Sequence, residues 1–259
     1  MTVPSVTVCS LALAAALTFL APVILLIVLC VKRIIAPKPM WFGVLAFFVS
    51  QICLRLPILS ALGKQSWFLA FAKQNTTVYL IALAFTAGLF EETARYAGAR
   101  FCLKPAERGY RDAVAFGLGH GFCECILIVG LTEVSNLAAC LLLNSGALSP
   151  SGTAGAPIAA AMAKLTAPLI LMAVWERVST VMFHLAATVL VFRGVRNHQI
   201  GWYFLALAAH TVVDSVPSLI AGSNMLLLES VSFLISLLLL IFAVRMKPRF
   251  QQPCLPAAV

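Results

Sequence analysis

Residues 6–31 run for 26 positions without one charged side chain, and no other feature of this sequence constrains its fold as much. A helix needs about 20 apolar residues to cross the roughly 30 Å hydrocarbon core of a bilayer. In lipid, only helices and closed barrels satisfy their own backbone polar groups. Comparable runs recur at residues 41–62, 77–100, 111–131 (with an apolar extension to 143), 164–192, 199–220 and 224–244. Only 10% of the 259 residues are charged and 62% are hydrophobic, whereas soluble domains carry about 25% charged residues. The mean hydropathy is +1.01. These features predict one transmembrane helical domain over residues 1–259, an all-α bundle of about seven spans, with no separate soluble domain.

The net charge of +9 does not point to nucleic acid, because the basic residues cluster in short loops, as the positive-inside rule requires. With the N-terminus outside, the inner segments hold twelve basic residues: Lys32, Arg33, Lys38, Arg100, Lys104, Arg108, Arg111, Arg193, Arg196, Arg245, Lys247 and Arg249. The outer segments hold three, Lys64, Lys73 and Lys164. The expected topology is therefore N-out and C-in. The first run lacks a basic n-region and is too long for a signal peptide, so it reads as the first span. Residues 63–76 read as a mixed loop with Trp67, Phe68 and Phe71 at the headgroups, and residues 144–160 as a flexible Gly/Ser/Pro loop. Eight cysteines, Cys9, Cys30, Cys53, Cys102, Cys123, Cys125, Cys140 and Cys254, fall mostly inside apolar spans and behave there as small hydrophobes. Their spacing predicts neither a disulfide framework nor a cysteine metal site.

Against this background Glu91-Glu92-Thr93-Ala94-Arg95 stands out, with three charges in five residues of the third span. Charges inside a bilayer are costly and mark function by default. Counting from the inner ends of the spans, Glu91 is nine residues from Arg100, His120 nine from Arg111, His184 nine from Arg193, and His210 eleven from Gln199. At about 1.5 Å per residue, all four lie roughly 13–17 Å deep, so four helices deliver one carboxylate and three imidazoles to one plane. Arg95 is placed to pair with Glu91 at i,i+4 or with Glu92 at i,i+3. His120 shares a helix face with Glu124, and His210 with Asp214. Glu124, Asp214 and Arg177 lie deeper, and Arg177 is expected to neutralise one of these acids. Gly117 and Gly121 form a GxxxG that lets another helix approach beside His120. His198 is expected in solvent, and Glu133 and Glu229 are expected to meet water on the outer side.

Imidazoles with a carboxylate are a ligand set that Zn²⁺ accepts, and a buried Glu can also activate water without metal. Both routes lead to amide hydrolysis inside the membrane. The sequence has no Ser-His-Asp order, no Gly-rich phosphate loop and no H-E-x-x-H.

Four blocks, Glu91–Tyr96 (EETARY), Phe116–Glu124 (FGLGHGFCE), Trp175–His184 (WERVSTVMFH) and His210–Asp214 (HTVVD), resemble those of the YhfC-type intramembrane metalloproteases. That family is related to the type II CAAX prenyl proteases and the bacteriocin-processing membrane proteases. The resemblance implies that Glu91 or Glu92 activates water; the spacing of Arg95 gives it the role of holding a carboxylate. The resemblance also implies that His120, His184, His210 and Asp214 bind metal or the oxyanion; Glu124 and Arg177, placed deeper by the depth count, are expected to support the site. Two departures from the wider group's signature stand here: Arg95 falls one residue early, and Asp214 replaces an Asn. An added carboxylate suits a cation and weakens an oxyanion role, which favours metal, Zn²⁺ by donor type.

The expected function is therefore an intramembrane peptidase that hydrolyses a membrane-associated peptide or protein from the cytoplasmic side of a bacterial plasma membrane. Related folds include a non-catalytic subunit of γ-secretase, so a non-catalytic scaffold is the alternative. A proton-coupled transporter ranks lower, because no internal repeat mirrors the cluster.

Overall fold

A computed structural model of the chain describes residues 2–220 and 224–250, apart from the side chains of residues 217 and 218. Cys254 lies outside the described residues. The described residues form nine helices: α1 Ser5–Val31, α2 Pro37–Leu62, α3 Ser66–Gln74, α4 Thr76–Cys102, α5 Tyr110–Asn144, α6 Gly155–Met162, α7 Ala167–Arg196, α8 Gly201–Ile220 and α9 Met225–Arg245. Short 3₁₀ turns follow at Pro105–Glu107 and Lys247–Phe250. No strand occurs among the described residues. Six of the helices, α1, α2, α4, α5, α7 and α9, are long and apolar enough to cross a membrane. The expected sixth span is α8, a 20-residue helix that carries His210 and Asp214.

Two segments expected as loops contain helices. Residues 66–74 form α3 with Trp67 exposed, and the Ala-rich stretch GAPIAAAM forms α6, where helix propensity outweighs the neighbouring Gly and Ser. Pro37 and Pro39 begin α2, in the first turn where proline costs no backbone hydrogen bond. Four stretches inside the long helices widen to π geometry: Ala16–Leu20, Phe48–Arg55, Gly98–Cys102 and Cys125–Gly130. Such widenings re-aim side chains and are frequent at functional sites.

The chain divides into two compact units. The first comprises Met1–Val28 and Glu124–Val178. Its core joins Leu11 and Ala14 of α1, Cys140 and Leu143 of α5, Met162 of α6 and Ile170 of α7. At Gly130 an added Cβ would lie 2.7 Å from the Thr18 carbonyl oxygen, so this glycine lets α1 and α5 cross closely. The Asn144 amide ties the N-terminus down, accepting from Val3 N at 2.7 Å and donating to Val3 O at 3.1 Å. Arg177 donates to Glu124 (3.0 Å) and Glu176 (2.5 Å). Glu124 is thus the acid that Arg177 neutralises.

The second unit comprises Leu29–Cys123 and Ser179–Val259. Its core is built on α7, where Phe183, Ala186, Ala187, Leu190 and Phe192 pack with Phe116, Ala113, Ala99 and Met246. Its helices approach closely wherever one offers no side chain. A Cβ at Gly43 of α2 would lie 2.0 Å from the Phe116 carbonyl oxygen, and one at Gly119 of α5 2.1 Å from that of Met40. Gly117 and Gly121 face Leu185, His184 and Val181 of α7, so the expected GxxxG contact is with the helix that carries His184. The connection from α4 to α5 is held by Arg108, which donates to Leu103 O and Arg100 O. Lys38 reaches Glu107 at 2.6 Å. This hydrogen bond, with that from the Lys104 amide, holds the Glu107 carboxyl below its ordinary pKa.

Candidate active site

The polar side chains expected at one depth converge inside the second unit. Two helices bracket α4 there. α8 lies against it at Gly88, where a Cβ would come 3.0 Å from His210 Cβ, and α2 meets it through its widened segment Phe48–Arg55. Gly88 is one helical turn before Glu91 and Glu92, so the crossing point and the acidic pair share a face.

Glu91, Glu92, Arg95, His120, His184 and His210 are all buried, at 0–4% exposure. An ionised group so placed must be paired and hydrogen-bonded, and each of these carboxylates is. Glu91 Oε1 accepts from Gln51 Nε2 at 2.6 Å, while its Oε2 accepts from His120 Nε2 at 2.9 Å. The same Oε2 lies 3.9 Å from His184 Nδ1 and 4.0 Å from His210 Nε2. Glu92 Oε1 takes a hydrogen bond from Arg95 and another, at 2.8 Å, from His210 Nδ1. Arg95 therefore pairs with Glu92, the i,i+3 option. Its second amino group donates to His184 Nδ1 at 2.9 Å. Because guanidinium only donates, this contact assigns the His184 proton to Nε2. His210 Nε2 is 3.5 Å from Asp214, whose side chain is 40% exposed.

Aromatic rings fix the imidazoles. Phe47 meets His120 edge-on at 5.4 Å, and Phe183 sits edge-on to both His184 (5.4 Å) and His210 (4.9 Å). The His120 and His184 rings are themselves 4.7 Å apart.

Glu91, His120 and His184 can each turn one ligand atom into a group whose members lie within 4.8 Å of one another. One carboxylate oxygen and two imidazole nitrogens are a donor set of catalytic zinc sites, and the three residues fit a divalent cation once Arg95 releases His184 Nδ1. His210 and Asp214, expected among the ligands, stand beside this group. His210 is engaged with Glu92 through Nδ1, and Asp214 is reached through His210. Glu124 and Arg177 pair with each other in the first unit. His198 is exposed, with a positive φ of 56° at the turn between α7 and α8. Glu133 and Glu229, expected to meet water, are buried at 7% and 5% exposure.

Two residues at the site escaped the sequence reading. Gln51 is buried and touches Glu91, and Arg55 donates from one turn further on to Gln51 Oε1 at 3.1 Å. The signal was present in the sequence. Arg55 is a charge within an apolar run, and Gln51 stands ten residues from Trp41, at the depth of Glu91.

The family model described as YhfC intramembrane metalloprotease matches residues 17–236. A relative from Bacillus subtilis (strain 168), the uncharacterized membrane protein YhfC, is 28% identical over 217 residues, covering 81% of this chain and 83% of the relative. No solved structure matches the chain. The matched region spans every helix that contributes to the Glu–His cluster, and the chain belongs to the YhfC intramembrane metalloprotease family.

Proposed function

We propose that the chain is a metal-dependent intramembrane peptidase that cleaves a membrane-associated peptide or protein from the cytoplasmic side of a bacterial plasma membrane. The observation that carries this reading is the convergence of Glu91, His120 and His184 from three helices on one buried point. The side of action rests on the asymmetry of Lys and Arg between alternate loops.

In this reading Glu91, His120 and His184 would hold the ion, Zn²⁺ by donor type. When bound, such an ion supplies Lewis acidity to the scissile carbonyl and to the attacking water. The chain's own groups do the rest. His210 Nε2, 4.0 Å from Glu91 Oε2 and 3.5 Å from Asp214, takes the proton of the attacking water and returns it to the leaving amine. Asp214 balances the imidazolium formed in between. Glu92, held by Arg95 and His210, sets the His210 ring by accepting from Nδ1, the way a second carboxylate orients a working imidazole. Arg95 offsets the Glu92 charge, so its part is positioning. The buried surroundings keep bulk water from the site and strengthen each electrostatic contact.

A metal-free variant, in which Glu91 alone activates water, is favoured by one contact: Arg95 donates to the His184 nitrogen that faces Glu91. The test is cleavage of a membrane-peptide library by detergent-purified protein, with and without a zinc chelator. Chelation and Glu91→Gln or His120→Ala should each reduce cleavage by about 10²–10⁴-fold, the range for loss of one catalytic group. Cleavage that resists chelation but is lost in Glu91→Gln selects the metal-free route. Folded variants that cleave at the wild-type rate would sink both routes.

A further inference from the structure

We infer that Gln51 and Arg55, on the widened segment of α2, are positioning residues that turn a single oxygen of Glu91 toward the imidazoles. This inference deepens the metal-site reading and rests on it in part.

The chain of contacts is continuous and directional. Arg55 straddles α4: its Nε donates to Thr86 Oγ1 at 3.4 Å and its second amino group to Leu83 O at 2.8 Å. Its remaining amino group donates to Gln51 Oε1 at 3.1 Å. That contact settles which end of the Gln51 amide faces which partner, because guanidinium can meet only the oxygen. The Gln51 amino group is then committed to Glu91 Oε1, at 2.6 Å. With Oε1 engaged, Oε2 is the oxygen that faces His120, His184 and His210. A carboxylate held by one oxygen in this way can rotate neither away from the cluster nor into a symmetric two-oxygen grip.

The backbone explains why two residues of one helix can do this. Gln51 and Arg55 belong to the π-helical stretch Phe48–Arg55, which ends two residues before Pro57. Proline removes an N–H from the helical ladder and crowds the preceding turn, while the i,i+4 spacing of Gln51 and Arg55 puts both side chains on the face that meets α4. Arg55 and Glu91 are anchored to the same helix, α4, so the relay moves with the carboxylate it serves. Outer-shell partners of this kind typically govern metal affinity by about 10–100-fold.

The test is a double-mutant cycle between Gln51→Leu and Glu91→Gln, read by zinc affinity against a competing chromophoric chelator and, separately, by thermal unfolding in detergent. Gln51→Leu in the wild-type background should weaken zinc binding by about 10–100-fold. In the Glu91→Gln background it should have no further effect. Arg55→Met should give a smaller loss in the same direction and none in Gln51→Leu protein. Additive losses, or an unchanged zinc affinity in Gln51→Leu, would overturn the assignment. Wild-type protein that binds no divalent metal would refute the metal reading instead. The unfolding cycle then decides the relay: non-additive shifts in melting temperature support it, and additive shifts reject it.

Discussion

Arg95 offers the sharpest test of how the site is held together. Its guanidinium is fully buried, donating to Glu92 and, at 2.9 Å, to His184 Nδ1. Arg95→Met keeps most of the side-chain volume and removes the charge, leaving Glu92 ionised at 0% exposure with His210 as its hydrogen-bond donor. Breaking one side of a buried ion pair costs about 3–5 kcal/mol, and the retained His210 contact sets the lower end of that range here. For a chain of this size, about 2–4 °C per kcal/mol puts the fall in melting temperature at roughly 6–12 °C for a loss of about 3 kcal/mol. Thermal unfolding in detergent, followed by far-UV circular dichroism, measures it. Adding Glu92→Gln removes the stranded charge and should recover more than half of the loss. Two results would refute the reasoning: a melting temperature within about 2 °C of wild type, or a double variant no more stable than Arg95→Met.

Two further outcomes follow from the packing and from the loops. Gly43→Ala would set a Cβ 2.0 Å from the Phe116 carbonyl oxygen, and such overpacking costs about 1–3 kcal/mol; it should lower the melting temperature measurably, whereas Gly201→Ala, with nothing within 4 Å, should not. Glu107 is held below its ordinary pKa by the Lys38 hydrogen bond, so its contribution is present above the unfolded-state value and disappears as pH falls through the lower folded-state value. The melting difference between wild type and Glu107→Gln should therefore persist down to about pH 4.3, the ordinary Glu value, and vanish in more acid solution. A difference that grows on acidification would contradict this.

The long apolar runs made most of the helices legible, because apolar length is a one-dimensional property. α3 and α6 were missed, since nine and eight residues framed by Gly, Ser and Lys give no run long enough to read. Depth is also one-dimensional, and it brought Glu91, His120, His184 and His210 together correctly. The angle around each helix is not encoded in depth. For that reason Arg95 could be assigned to either Glu91 or Glu92, and only the three-dimensional structure selects Glu92. Glu133 and Glu229 show the same limit, for their distance along a helix suggested water while their faces are buried. Gln51 was overlooked because an uncharged amide does not register as an anomaly in an apolar span, although its hydrogen bond to Glu91 is among the shortest at the site.

Binding of one divalent ion by Glu91, His120 and His184 is the step on which the proposed chemistry depends. It is tested most directly by metal analysis of protein purified without chelators, comparing wild type with His120→Ala and His184→Ala at equal helicity. Close to one equivalent of zinc is expected in the wild type, and its loss in both variants. Wild-type protein free of divalent metal after zinc loading, or variants that retain the full equivalent, would contradict it.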